Sequence, residues 1–147
     1  MRIPDLSFVY TFSSLTIILN AFYYNERINN ALYLSNILSL IGFCVILFFY
    51  PKFYYDKYNS LIHFNLLWFN ITCILIHILP VVLFIDKNNI DRNNLLTVLI
   101  DTVCILLLYL LLFYSILHEI YPFSILQLFI MCIVLLPIIS GIYYILL

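Results

Sequence analysis

Apolar residues along this chain come in runs of about 20, at 6–24, 32–50, 61–85, 95–118 and 123–147. A helix of that length crosses a hydrocarbon core of about 30 Å. The breaks between runs are short and polar: NERINN (25–30), PKFYYDKYNS (51–60), DKNNIDRNN (86–94) and HEIYP (118–122). This pattern predicts an all-α fold, a polytopic membrane helical bundle of about five transmembrane helices forming one membrane domain over 1–147. Breaks this short make consecutive spans antiparallel neighbours, with each backbone polar group satisfied inside a helix.

Composition points the same way. At 66% hydrophobic and 9% charged, with a mean hydropathy of +1.14, the chain lacks the roughly 25% charged residues that cover a water-soluble globule. The expected partner is therefore membrane lipid. A net charge of -1 gives no basic surface for nucleic acid, which is not expected as a partner. Lys and Arg do not orient the bundle, because Arg2, Lys52 and Lys57 fall on one side and Arg27, Lys87 and Arg92 on the other. The start, MRIPDLSFVYTFSSL, has no small-residue cleavage pattern after a short apolar core and reads as an uncleaved first span.

Polar residues inside the spans carry more information, since a charge at mid-bilayer costs about 2.5–3.5 kcal/mol on insertion scales. His63, His77, Asp101 and, at a boundary, Glu119 are the ones to weigh. His63, Asn70 and His77 recur at every seventh position with Cys73 between them, which puts them on one helical face turned into the bundle. Such a face is either an interhelical hydrogen-bond stripe or part of a site. His63 and His77 stand about 21 Å apart along a helix and cannot share an ion, and no HExxH pairing occurs. Neither a metal nor another cofactor is expected. Cys44, Cys73, Cys104 and Cys132 sit singly, without CxxC spacing, as small core hydrophobes. The NIT triplet at 70–72 lies mid-span, out of reach of glycosylation.

The stretch ILIHILPVVLFID (74–86) sets His77 three residues before Pro80. Pro80 has no N–H, so the carbonyl of Ile76 loses its helical partner and the helix tends to kink there. A kink beside an imidazole opens a small polar pocket in an apolar wall, a suitable place for a ring that accepts and releases protons. Counted from the 86–94 break, His77 and Asp101 share a layer to within about 3 Å, where a carboxylate would orient the imidazole. Hydroxyls come from TFSSLT (11–16). Thr16 shares the layer of His77, although most membrane Ser and Thr bond back to their own helix.

FVYTFSSL (8–15) ahead of an apolar span, and HILPVVLFID (77–86) followed by a polar break, a long span and YPF (121–123), together resemble the androgen-induced, ADTRP-like family of multispan membrane proteins. Members of that family characterised as enzymes are intramembrane threonine hydrolases that cleave fatty acid esters of hydroxy fatty acids. The resemblance covers most of the chain and implies Thr11 as nucleophile and His77 as base, in an endoplasmic reticulum or other internal membrane. Thr16 is the alternative nucleophile by depth, with Asp101 in support. The other open class is a non-catalytic bundle, a small transporter or assembly subunit whose polar stripe is structural.

Overall fold

The computed structural model describes residues 11–22, 26–60, 65–84 and 94–146, among which no strand occurs. Seven α-helices follow one another among the described residues: α1 (Phe12–Phe22), α2 (Glu26–Phe49), α3 (Pro51–Ser60), α4 (Leu66–Phe84), α5 (Leu95–Leu112), α6 (Leu117–Ile120) and α7 (Ile125–Leu146), with a 3₁₀ turn at Tyr114–Ile116. Three segments, Ile28–Phe49, Leu66–Leu83 and Leu95–Leu112, are long and apolar enough to cross a membrane, while Phe12–Phe22 and Ile125–Gly141 are shorter apolar helices. The molecule is a helical membrane bundle.

Helix ends follow local chemistry and shift several expected boundaries. The first helix starts at Phe12 because the Thr11 hydroxyl accepts a hydrogen bond from the Ser14 N–H at 3.3 Å, as an N-cap does. The Glu, Arg and Asn of the first break are compatible with helix, so α2 runs from Glu26 instead of starting near residue 32. It stops at Phe49, since Tyr50 precedes Pro51 and the pre-proline position resists helical geometry. Pro51 then opens α3, where a missing N–H costs nothing. PKFYYDKYNS, expected as a polar break, is thus a ten-residue helix that buries Tyr54. The Asn65 side chain accepts from the Leu67 N–H at 2.8 Å at the start of α4.

The expected 95–118 span ends at Leu112, with a tighter 3₁₀ turn and the single turn of α6 after it. Tyr121, ahead of Pro122, is extended at φ -129 and ψ 147. Ser124 and Gln127 form a capping box for α7: the Ser124 N–H donates to Gln127 Oε1 at 2.9 Å, and the Gln127 N–H to Ser124 Oγ at 3.2 Å.

The second helix is the hub, packing against α1, α3, α4, α5 and α7. Its Ala31, Ser35, Ser39 and Gly42 are small residues at near four-residue spacing, and small residues let helices approach closely where no hydrophobic drive separates them from lipid. The Thr102 hydroxyl of α5 reaches the Ala31 carbonyl at 3.4 Å. The core gathers around Phe12, Leu34, Leu38, Leu106, Tyr109 and Leu136. Leu67, Trp68, Leu75, Leu79 and Leu83 of α4 face outward, as a lipid-bathed face allows. Consecutive spans were expected to be neighbours, yet α4 and α5 each take α2 as principal partner.

Candidate functional site

A cavity of about 200 Å³ opens where one end of α1 meets α2, α3 and α4, with Tyr109 and Tyr121 closing it. Phe43, Ile46, Phe53, Phe69, Leu106 and Met131 make most of its wall apolar. The polar groups facing it are Thr11, Ser13, Ser39, Tyr54, Lys57, Thr72, Cys73, His77 and Tyr121.

His77 is held on two sides. Its Nδ1 lies 2.7 Å from the Cys73 carbonyl oxygen, an acceptor only, so Nδ1 carries the proton and donates it. In the neutral ring the lone pair is then on Nε2. The imidazole stacks on Phe43 with centroids 4.2 Å apart and an interplanar angle of 18°, which fixes the ring plane. Pro80 lies inside α4 and is buried, and Ile76, whose carbonyl Pro80 deprives of a partner, lies on the cavity wall. Asn70, on the same stripe, accepts from the Tyr54 hydroxyl at 2.7 Å. His63 lies outside the described residues.

The N-terminal end of α1 forms another part of the wall. Besides capping Ser14, the Thr11 hydroxyl lies 3.0 Å from Ser14 Oγ. The Phe12 N–H, one of the donors a helix start leaves open, donates to the Tyr121 hydroxyl oxygen at 2.9 Å. Ser13 and Ser39 hydroxyls hydrogen-bond between α1 and α2. Burial pushes the Tyr121 phenol above its ordinary value and keeps it protonated, even though the Phe12 N–H pulls the other way. At the α3 end, burial raises the Tyr54 phenol likewise.

Thr11 and His77 therefore share one cavity. Thr16 and Asp101 are not on its wall. Thr16 is fully buried and donates to the Ser13 carbonyl at 2.9 Å, the back-bond common to membrane hydroxyls. Asp101 sits half-buried on α5 beside Thr102, and the His77 nitrogen that an orienting partner would hold is engaged by the Cys73 carbonyl. Counting residues from the breaks assumed spans starting in one plane, but α1 has 11 residues and α2 has 24.

Tyr54, Lys57 and Tyr121 were not legible as site residues, because they stand in breaks whose helices and turns fold back over the bundle end. The pre-proline position of Tyr121 was the signal for its extended backbone. The four cysteines are free thiols, and among the described residues no three His, Cys, Asp or Glu side chains gather to hold a metal. No family model, curated protein or solved structure matches this chain.

Proposed function

We propose that the cavity is the active site of an intramembrane lipid-ester hydrolase, with Thr11 as nucleophile and His77 as general base. The observation that carries this reading is that Thr11 and His77, far apart in sequence, line the same apolar cavity. His77 Nε2 takes the proton of the Thr11 hydroxyl as its oxygen attacks the ester carbonyl carbon. The departing alkoxide takes that proton back from His77 and leaves as a hydroxy acid. Water, deprotonated by the same nitrogen, then attacks the acyl-threonine ester and frees the fatty acid and the threonine hydroxyl. The positive end of the α1 dipole and the Tyr121 phenol stand beside Thr11 to stabilise the oxyanion. Orientation of the imidazole comes from the Cys73 carbonyl and Phe43.

The substrate class that goes with this reading is a fatty acid ester of a hydroxy fatty acid, met in the endoplasmic reticulum or another internal membrane that the chain crosses several times. Hydrolysis of such an ester by membranes carrying each variant is the test. His77→Ala and Thr11→Ala should abolish turnover at unchanged protein level, and Thr16→Ala should retain it. Loss with Thr16→Ala alone moves the nucleophile to Thr16. Wild-type membranes with no esterase activity above empty membranes, and no His77-dependent labelling of a threonine by a fluorophosphonate, remove the hydrolase.

A second reading has its own support. The Thr11 hydroxyl caps α1, so threonine here also serves a purely structural end. On that reading the chain is a non-catalytic bundle, a small transporter or assembly subunit, and Thr11→Asn, which also caps a helix, leaves its function intact. The hydrolase requires that Thr11→Asn be inactive.

A further inference from the structure

Among the described residues three tyrosines line the cavity, Tyr54, Tyr109 and Tyr121, and each has one hydroxyl proton to donate. Tyr54 gives its own to Asn70 Oδ1 at 2.7 Å. Tyr121 receives instead. The Phe12 N–H donates to its oxygen at 2.9 Å, and Tyr109, fully buried on α5, hydrogen-bonds to the same phenol. Both bonds favour the phenolate form of Tyr121, which a donor aimed at the oxygen does and a partner accepting the phenol proton would oppose. The Tyr109 ring packs on the Phe12 ring with centroids 5.2 Å apart, so the two donors are held on one side of the phenol. The Tyr121 O–H, kept protonated by burial, has no acceptor among the described residues, and the space left to it is the cavity that Tyr121 lines.

From this pattern of donors we propose that the cavity binds the neutral carbonyl of a single-chain lipid, with the Tyr121 hydroxyl as its donor and Tyr109 as the positioning residue that directs that donor. Esters, amides and long-chain ketones share this acceptor. The ligand is a lipid because the wall is mainly apolar and much of it comes from α2 and α4, which are long and apolar enough to cross a membrane. A cavity of about 200 Å³ takes the carbonyl end of one chain, being smaller than the roughly 300–1,000 Å³ of sites that enclose drug-sized ligands. A hydrocarbon without an acceptor leaves the phenol proton unsatisfied in apolar surroundings, and a site built around a donor rejects the analogue that lacks its partner. Position follows from the same bonds. The Phe12 N–H sets the phenol one residue from Thr11, so the carbonyl is held at the α1 end of the cavity, whereas at the α3 end the Tyr54 proton is already given to Asn70. This inference uses the cavity of the proposed site but not its hydrolytic step, since a carbonyl is held there whether or not it is cleaved.

The test compares two ligands that differ by C=O against CH₂ and cannot be hydrolysed, octadecan-3-one and octadecane. Each competes, at equal mole fraction in zwitterionic nanodiscs, with an octadecane bearing a mid-chain diazirine, and crosslinks to the full-length protein are read by mass spectrometry at the cavity residues of α2 and α4. The ketone should displace the probe about tenfold more effectively than the alkane. In Tyr121→Phe that advantage should fall to about twofold or less, while Tyr54→Phe keeps it and Tyr109→Phe lowers it to a value between the two. Displacement of the probe by octadecane in Tyr121→Phe shows that the cavity is still folded. Wild-type protein with ¹³C at the ketone carbonyl supplies a measurement that needs no variant: the infrared carbonyl stretch should show a band at lower frequency than in empty nanodiscs. Equal competition by ketone and alkane, a ketone advantage that survives Tyr121→Phe, or no shifted band overturns the proposal, and a full advantage in Tyr109→Phe removes Tyr109 from it. A protein that prefers the ketone yet hydrolyses no ester retains this site and loses only the proposed chemistry.

Discussion

Asn36 lies on the hub helix with 2% of its surface exposed, and neither its amide nitrogen nor its oxygen has a hydrogen-bond partner among the described residues. A buried unsatisfied amide costs about 1–3 kcal/mol, so Asn36→Leu, which keeps the branched shape but is larger, should stabilise the bundle by up to about that amount. Thermal unfolding of the detergent-solubilised protein checks this, and a lowered midpoint counts against it. Replacing Tyr121 by Phe runs the other way, since it leaves the Phe12 N–H without its acceptor. The expected loss is about 1–3 kcal/mol. At this scale the sequence was informative for His77, whose seven-residue stripe and nearby proline are visible without a structure. It was silent on what Thr11 does at the start of α1, because a cap is defined by where the helix begins.

Between elements, the hub helix decides how much room the cavity has. Gly42 is on the cavity wall, and a Cβ built there meets no atom within 4 Å. Gly42→Ala should therefore be tolerated, with a helix-propensity gain of up to about 1 kcal/mol. A larger side chain grows into the cavity itself. Gly42→Leu should leave the protein folded while cutting ester turnover by at least about tenfold, and unchanged turnover would place the substrate elsewhere. Apolar runs announced the long helices correctly as helices, since length and hydropathy are local quantities. They did not announce α3, because ten residues with two lysines and an aspartate read as a break until the buried Tyr54 shows which face is covered. Nor did they show that α4 and α5 both rely on α2, for partner choice depends on small-residue faces meeting in space.

For the molecule as a whole, three distant segments converge on one end. Tyr50 at the end of α2 packs edge-on against Phe123 with centroids 5.0 Å apart, and Tyr121 meets Phe12. Convergence of this kind requires α3 and the 113–124 segment to lie at the same membrane face. Cysteines introduced at exposed Tyr55 and Ser115 should react with an impermeant maleimide from the same side, and opposite-side reaction would mean that a span has been assigned wrongly. The orientation of that face is invisible in the Lys and Arg count, which is tied.

The bond between Phe12 and Tyr121 joins positions 109 residues apart, and that separation is also an interval of time. A ribosome adding about 5–20 residues per second needs about 5–20 s to pass from one to the other. Throughout that interval the start of α1, only 11 residues and about 16 Å long, has one N–H awaiting its phenol. The chamber around Thr11 is therefore completed only after Tyr121 has been made. A nascent chain arrested before Tyr121 emerges would have inserted its hub helix and His77 yet lack a closed site, so any reactivity of Thr11 arises only after assembly of the bundle.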